Sequence, residues 1–124
     1  MAFELYQYQA TVIDVHDGDT VTLLVDFGQS ITKKDKYRLY GPDPVGKTGL
    51  NAPEINTDAG KVSCQALVEI INSFESKVFV QTVKDRKEKY GRYLAVIFGV
   101  SNDGILVNIN QKMVDEGHAF LRKY

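Results

Sequence analysis

Two carboxylates flank a glycine at Asp17-Gly18-Asp19-Thr20, between the apolar segments Ala10–Val15 and Val21–Phe27. Carboxylates at a strand junction can be held by the sheet and still reach a cleft. Hard cations take oxygen ligands in such places. The same four residues are also ordinary turn chemistry, since Asp-Gly between strands favours a tight reversal, and that is the commoner use. A second stretch, Gly41-Pro42-Asp43-Pro44-Val45-Gly46-Lys47-Thr48, has the spacing of a phosphate-binding P-loop. A P-loop cradles phosphates with free backbone N–H groups and opens a helix at its lysine. Pro42 and Pro44 have no N–H, and Gly49 and Pro53 follow, so residues 41–49 are a loop and not a nucleotide site. His16 and His118 have no partner at nearby spacing and are read as non-catalytic. Cys64 is alone, which excludes an internal disulfide or a thiolate metal cluster, and it reads as a small buried hydrophobe.

These residues must be positioned by a chain of 124 residues, enough for one domain, 1–124, with a modest core. Its 44% hydrophobic and 25% charged residues are those of an ordinary globular protein. No run approaches a membrane span. The start, Met1-Ala2-Phe3-Glu4, shows no secretory signal pattern, which points to an intracellular protein. The net charge of −1 does not mark a general nucleic-acid binder. Basic residues nevertheless gather at Lys33, Lys34, Lys36, Arg38 and at Lys84, Arg86, Lys87, Lys89, Arg92.

Strands are expected over Gln7–Val15, Thr20–Phe27 and Ile31–Tyr40. In the second, Val21, Leu23, Val25 and Phe27 alternate with Thr20, Thr22, Leu24 and Asp26, the period of a half-buried strand. Tyr37 and Leu39 share a face of the third. A helix is expected over Asp58–Phe74, capped by Thr57 or Asp58, with Val62, Ala66, Leu67, Ile70, Ile71 and Phe74 on one apolar face. Lys77–Val83 and Arg92–Val100 read as strands, the latter with Tyr93, Ala95, Ile97 opposite Leu94, Val96, Phe98. Asn102-Asp103-Gly104 is a turn. A short helix follows, capped by Asn110, with Met113 and Val114 inward and Gly117 ending it. Five short strands with a helix after the third suit a five-stranded Greek-key β-barrel of the OB type, an α+β arrangement with a second, short C-terminal helix.

Four segments occur in order: Asp17-Gly18-Asp19-Thr20, Tyr37-Arg38-Leu39-Tyr40-Gly41, Leu50-Asn51-Ala52-Pro53-Glu54 and Lys89-Tyr90-Gly91-Arg92. Together with Asn110, Val114, Gly117, His118 and Ala119 they closely resemble the staphylococcal (micrococcal) nuclease family, the thermonuclease-like proteins. The resemblance spans residues 10–120. It implies a calcium-dependent endonuclease that hydrolyses phosphodiester bonds in DNA and RNA. By that resemblance Arg38 and Arg92 bind the phosphate, Glu54 is the general base, Asp19 binds Ca²⁺, and Lys89 and Tyr90 hold the nucleic acid. One departure from the family lies between Gly41 and Asn51; a second is at the C-terminus, where the family's final helix has no match. The family runs Arg-Leu-x-Gly-x-Asp-x-Pro-Glu without interruption, whereas extra residues here separate Gly41 from Asn51. Aligning the Pro53-Glu54 end puts Asn51 at the family's second metal-binding Asp, with the Ala52 main-chain oxygen beside it. Keeping the spacing from Arg38 would put Asp43 there and leave Pro53-Glu54 unmatched, so Asn51 is preferred. One formal charge fewer weakens a calcium site.

Two other classes compete. A non-catalytic OB barrel could bind single strands by stacking bases on Tyr37, Tyr40, Tyr90 and Tyr93. A protein-scaffold domain could use the same barrel. Against both stands the trio Arg38, Glu54, Arg92: a pure binder has no use for a carboxylate near phosphates.

Overall fold

The computed structural model of the protein describes residues 6–40, 48–87 and 93–123. In chain order these form β1 (Gln7–Asp17), β2 (Thr20–Gly28), β3 (Ile31–Leu39), β4 (Thr48–Asn51), α1 (Asp58–Asn72), β5 (Lys77–Lys87), β6 (Tyr93–Val100), β7 (Leu106–Asn108), α2 (Ile109–Asp115) and β8 (Phe120–Lys123). The main sheet runs β3-β2-β1-β5-β6-β7, and β3 also pairs with β6. That last pairing is parallel, with Tyr37, Arg38 and Leu39 opposite Tyr93, Leu94 and Ala95. It closes a five-stranded barrel with β7 outside it, the expected OB-like α+β architecture. No helix among the described residues is long and apolar enough to cross a membrane.

The two-residue period places the core. Val21, Leu23 and Val25 of β2 are fully buried, and Tyr37 and Leu39 of β3 join them inside. Phe27 continues the same face, but it lies at the barrel's end. It is 39% exposed there and meets the Tyr8 ring edge-on at 4.7 Å. Strand β6 is buried on both sides. Ala95 and Ile97 face the main core, while Leu94 and Val96 pack with Tyr40 in a second cluster. The expected division of β6 into two faces is therefore present, and both faces are apolar because both are covered.

Helix α1 begins as expected: the Thr57 hydroxyl accepts from the Gly60 N–H at 3.0 Å. Leu67, Ile70 and Ile71 are buried, but Val62 is 59% exposed, against expectation. The first turns of α1 pack inward through Gly60, against the Glu54 carbonyl, and Ser63, against the β1–β2 turn, both buried, which leaves Val62 facing outward. Helix α2 is capped by Asn108 and not by Asn110; the Asn108 side chain accepts from Gln111 N–H at 3.0 Å. Met113 is fully buried and Val114 half-buried against the core. Gly117 ends the helix at φ +77°, a conformation glycine adopts without strain.

Strands β4, β7 and β8 were not expected. The first and last pair only with each other, antiparallel, placing Leu50 opposite Leu121 and Asn51 opposite Phe120. Each is four residues long, too short to show a period, and each exists because its distant partner does. Thr48 begins β4 and not a helix, so the strand that pairs with β8 stands where a P-loop would need its helix. Residues 41–47 of that loop lie outside the described residues.

Candidate functional site

Asp17 ends β1 and Thr20 starts β2, so the Gly18-Asp19 pair is indeed a turn. The Asp17 side chain accepts the Asp19 N–H at 3.0 Å, the local bond by which aspartate stabilises a reversal. The glycine is needed here for room, not for its backbone freedom. A Cβ on Gly18 would lie 1.9 Å from Ser63 Oγ and 2.6 Å from the Ala52 side chain. The turn is thus wedged between α1 and the segment after β4. Ser63 also donates to the His118 carbonyl at 2.7 Å, tying α1 to the connection between α2 and β8.

This wedge buries Asp19, which is only 6% exposed. Its Oδ1 accepts from the Thr20 hydroxyl at 3.1 Å, and its Oδ2 accepts from the Ala52 N–H at 2.9 Å. Arg38 Nη2 lies 3.2 Å from the same Oδ2. Burial pushes the Asp19 carboxyl up to about 6, and the neighbouring Asp17 carboxyl adds to the rise; the Ala52 N–H and the Arg38 charge pull the other way without prevailing. For Asp17, partial burial also pushes upward. The hydrogen bonds from Asp19 and Thr20 and the charge of Arg38 outweigh it and hold Asp17 below the usual carboxylate range.

Arg38 stands beside Thr20 in the β2–β3 register, which explains how it reaches the turn. Its Nη2 makes three contacts at once. Besides Asp19 Oδ2 it donates to the Leu50 carbonyl at 3.1 Å and, in a short bond, to Asn51 Oδ1. Its Nε is buried and has no hydrogen-bond partner among the described residues. Asp19, Arg38, Asn51 and Ala52 are therefore brought together. Ala52 meets Asp19 through its N–H.

Glu54 follows Asn51 by three residues, in the segment between β4 and α1, and is exposed. Its carbonyl accepts the Thr57 N–H at 3.0 Å and the Thr57 hydroxyl at 2.6 Å. Gly60 carries no side chain where a Cβ would stand 1.7 Å from that carbonyl. The start of α1 thereby fixes the backbone of Glu54 and leaves its carboxylate in water. Arg92, Lys89, Tyr90 and Asp43 lie outside the described residues.

Two of the aromatics considered for base stacking are core residues: Tyr37 is 3% and Tyr40 0% exposed. The Tyr37 hydroxyl is pushed up to about 12, first by burial and then by Asp35. Tyr93 is half-buried, 6.3 Å from the Tyr37 ring, with Lys33 Nζ 4.6 Å from its centroid. His16 bonds Thr22 at 2.7 Å on the sheet. Cys64 is half-buried, not buried as expected; partial burial first, then Asp17 and Asp14, raises its thiol above the ordinary value.

The oxygens that meet Arg38 Nη2 are a carboxylate, an amide and a main-chain carbonyl, all of the hard type that calcium takes. Among the described residues no three His, Cys, Asp or Glu side chains group to hold a metal ion. The fit to calcium therefore rests on Asp19 supported by neutral oxygens. The Leu50 carbonyl was not expected from sequence; it becomes visible only once β4 is known to be a strand. No family model matches this chain, and no curated protein matches it in sequence.

Proposed function

We propose that this protein is a calcium-dependent nuclease, a hydrolase of phosphodiester bonds in DNA and RNA. The observation that carries the reading is the meeting of Asp19, Arg38 and Asn51 at one nitrogen, from three separate segments, with Glu54 three residues away. A phosphodiester is anionic, and attack by water adds charge to its oxygens. Guanidinium donors from Arg38 and Arg92 grip those oxygens and favour the more charged transition state. Calcium, when bound, supplies further neutralisation at the phosphate, and Asp19 with Asn51 would hold it. The exposed carboxylate of Glu54 takes the proton from the attacking water. Lys89 and Tyr90 hold the strand. The burial of Tyr37 and Tyr40 removes two stacking platforms from the binding-only alternative.

The test is digestion of plasmid and single-stranded DNA, and of RNA, in calcium or in EDTA. Cutting is expected in calcium alone. Glu54→Gln should lower kcat by about a hundredfold or more, the scale of losing a group that acts in the transition state. Its exposure makes folding insensitive to the change. Full activity of a folded Glu54→Gln protein, or cutting in EDTA, refutes the reading.

A further inference from the structure

We infer that the Arg38 guanidinium and a calcium ion compete for one oxygen cradle, so that binding the cation is what frees Arg38 for phosphate. This rests on the calcium site proposed above. Three oxygens from two elements, Asp19 Oδ2, the Leu50 carbonyl and Asn51 Oδ1, surround a single cationic nitrogen. Nη2 fills the space between them, so a metal ion cannot take the same oxygens while the guanidinium stays.

Charge leads to the same exclusion. The cradle holds one carboxylate, because residue 51 is an asparagine. A divalent ion taking these oxygens beside the guanidinium sets like charges within a few ångströms, with one carboxylate in direct contact to offset them. The guanidinium is also incompletely satisfied where it stands. Its Nη2 is saturated with acceptors, yet its Nε is buried with no partner among the described residues. A buried N–H without an acceptor is unfavourable, and departure from the cradle relieves it. Arg38 then carries free donors at the position where the phosphate is proposed to bind. Cation binding and phosphate binding become linked, each favouring the other through the one side chain.

The experiment is calorimetric calcium titration of the wild type, Arg38→Ala and Lys36→Ala, with nitrogen-15 NMR of the Arg38 Nε–H in the wild type. Lys36 is an exposed cation on the same strand and controls for simple loss of charge. Arg38→Ala is expected to bind calcium at least tenfold more tightly, and Lys36→Ala to stay within twofold of wild type. The Arg38 Nε–H signal should shift as calcium saturates the wild type, a readout that does not depend on the variant folding. If calcium binds the wild type without moving that signal, or binds folded Arg38→Ala no more tightly, competition is refuted and the calcium site stands. If calcium binds neither wild type nor folded Arg38→Ala, the cradle is not a cation site and both readings fall.

Discussion

Two buried polar clusters hold this molecule together, and they are built to different standards. Asn110 is fully buried on the first turn of α2. Its Nδ2 donates to the carbonyls of Tyr40 and Ala95 at 2.7 and 3.1 Å, and its Oδ1 accepts the Ile97 N–H at 3.1 Å. Every hydrogen bond it makes goes to backbone, and it locks α2 onto β6 and the end of β3. The Asp19–Arg38 cluster sits at the same end of β3, two residues before Tyr40, and is also drawn from distant segments, but it is unfinished. One carboxyl is pushed up to about 6, and one guanidinium nitrogen lacks a partner among the described residues. A satisfied polar cluster specifies an arrangement. One left with charge mismatch and a spare donor retains the capacity to exchange partners, which is where chemistry is expected.

The comparison is broken most severely at Asn110. Asn110→Ala should cost about 3 kcal/mol, because it removes three hydrogen bonds to buried backbone groups at once. Urea unfolding measures this, with an unchanged m-value, and calcium affinity of the remaining folded protein should not move. Loss of calcium binding at full stability would show that the two clusters do not have separate tasks.

At the turn the expected effect is smaller and falls on both stability and site. Gly18→Ala should cost about 2 kcal/mol by overpacking against Ser63 and Ala52. It should also weaken calcium binding, since the turn that carries Asp19 must shift. Adding Ser63→Gly should recover part of the stability, as thermal unfolding would show. A neutral Gly18→Ala protein means the wedge is slack.

The smallest effect sharpens the contrast by pH. Asp19 has a folded pKa raised from 3.8 to about 6. Its contribution to stability is therefore complete below about pH 4 and is lost as pH rises through 6, without calcium. Asp17, held low, acts in the opposite sense at lower pH, being lost as pH falls. Asp19→Asn removes the first dependence. Relative to wild type it should gain about 1 to 2 kcal/mol between pH 4 and pH 7 in EDTA, measured by chemical unfolding at each pH. A pH-independent difference would mean that Asp19 titrates normally in the folded protein.

Much of the barrel was legible because its signals are local. The alternation in β2 and the two faces of β6 report which side of a strand is covered, and the Thr57 cap and Gly117 terminus report backbone needs at helix ends. Val62 was misplaced for the same reason. Period alone puts it on the apolar face, while the Glu54 carbonyl meets Gly60 and the β1–β2 turn meets Ser63 there. Asparagine near a helix start favours a cap, which is why Asn110 suggests one; Asn108, two residues earlier, is the cap, and Asn110 serves carbonyls 70 and 15 residues away.

By itself the sequence determined the acidic turn, the apolar periods and hence an OB-like barrel, since each depends on neighbours within a few residues. The resemblance to a nuclease family added the identities of Asp19, Arg38, Asn51 and Glu54. Only the tertiary structure decided that Gly18 is required for clearance from α1, that β4 is a strand, and that Arg38 Nη2 stands among the oxygens proposed for a cation. Those facts follow from closing β3 onto β6 and pairing β4 with β8. Such pairings join residues far apart in the chain, and no period along the sequence records them.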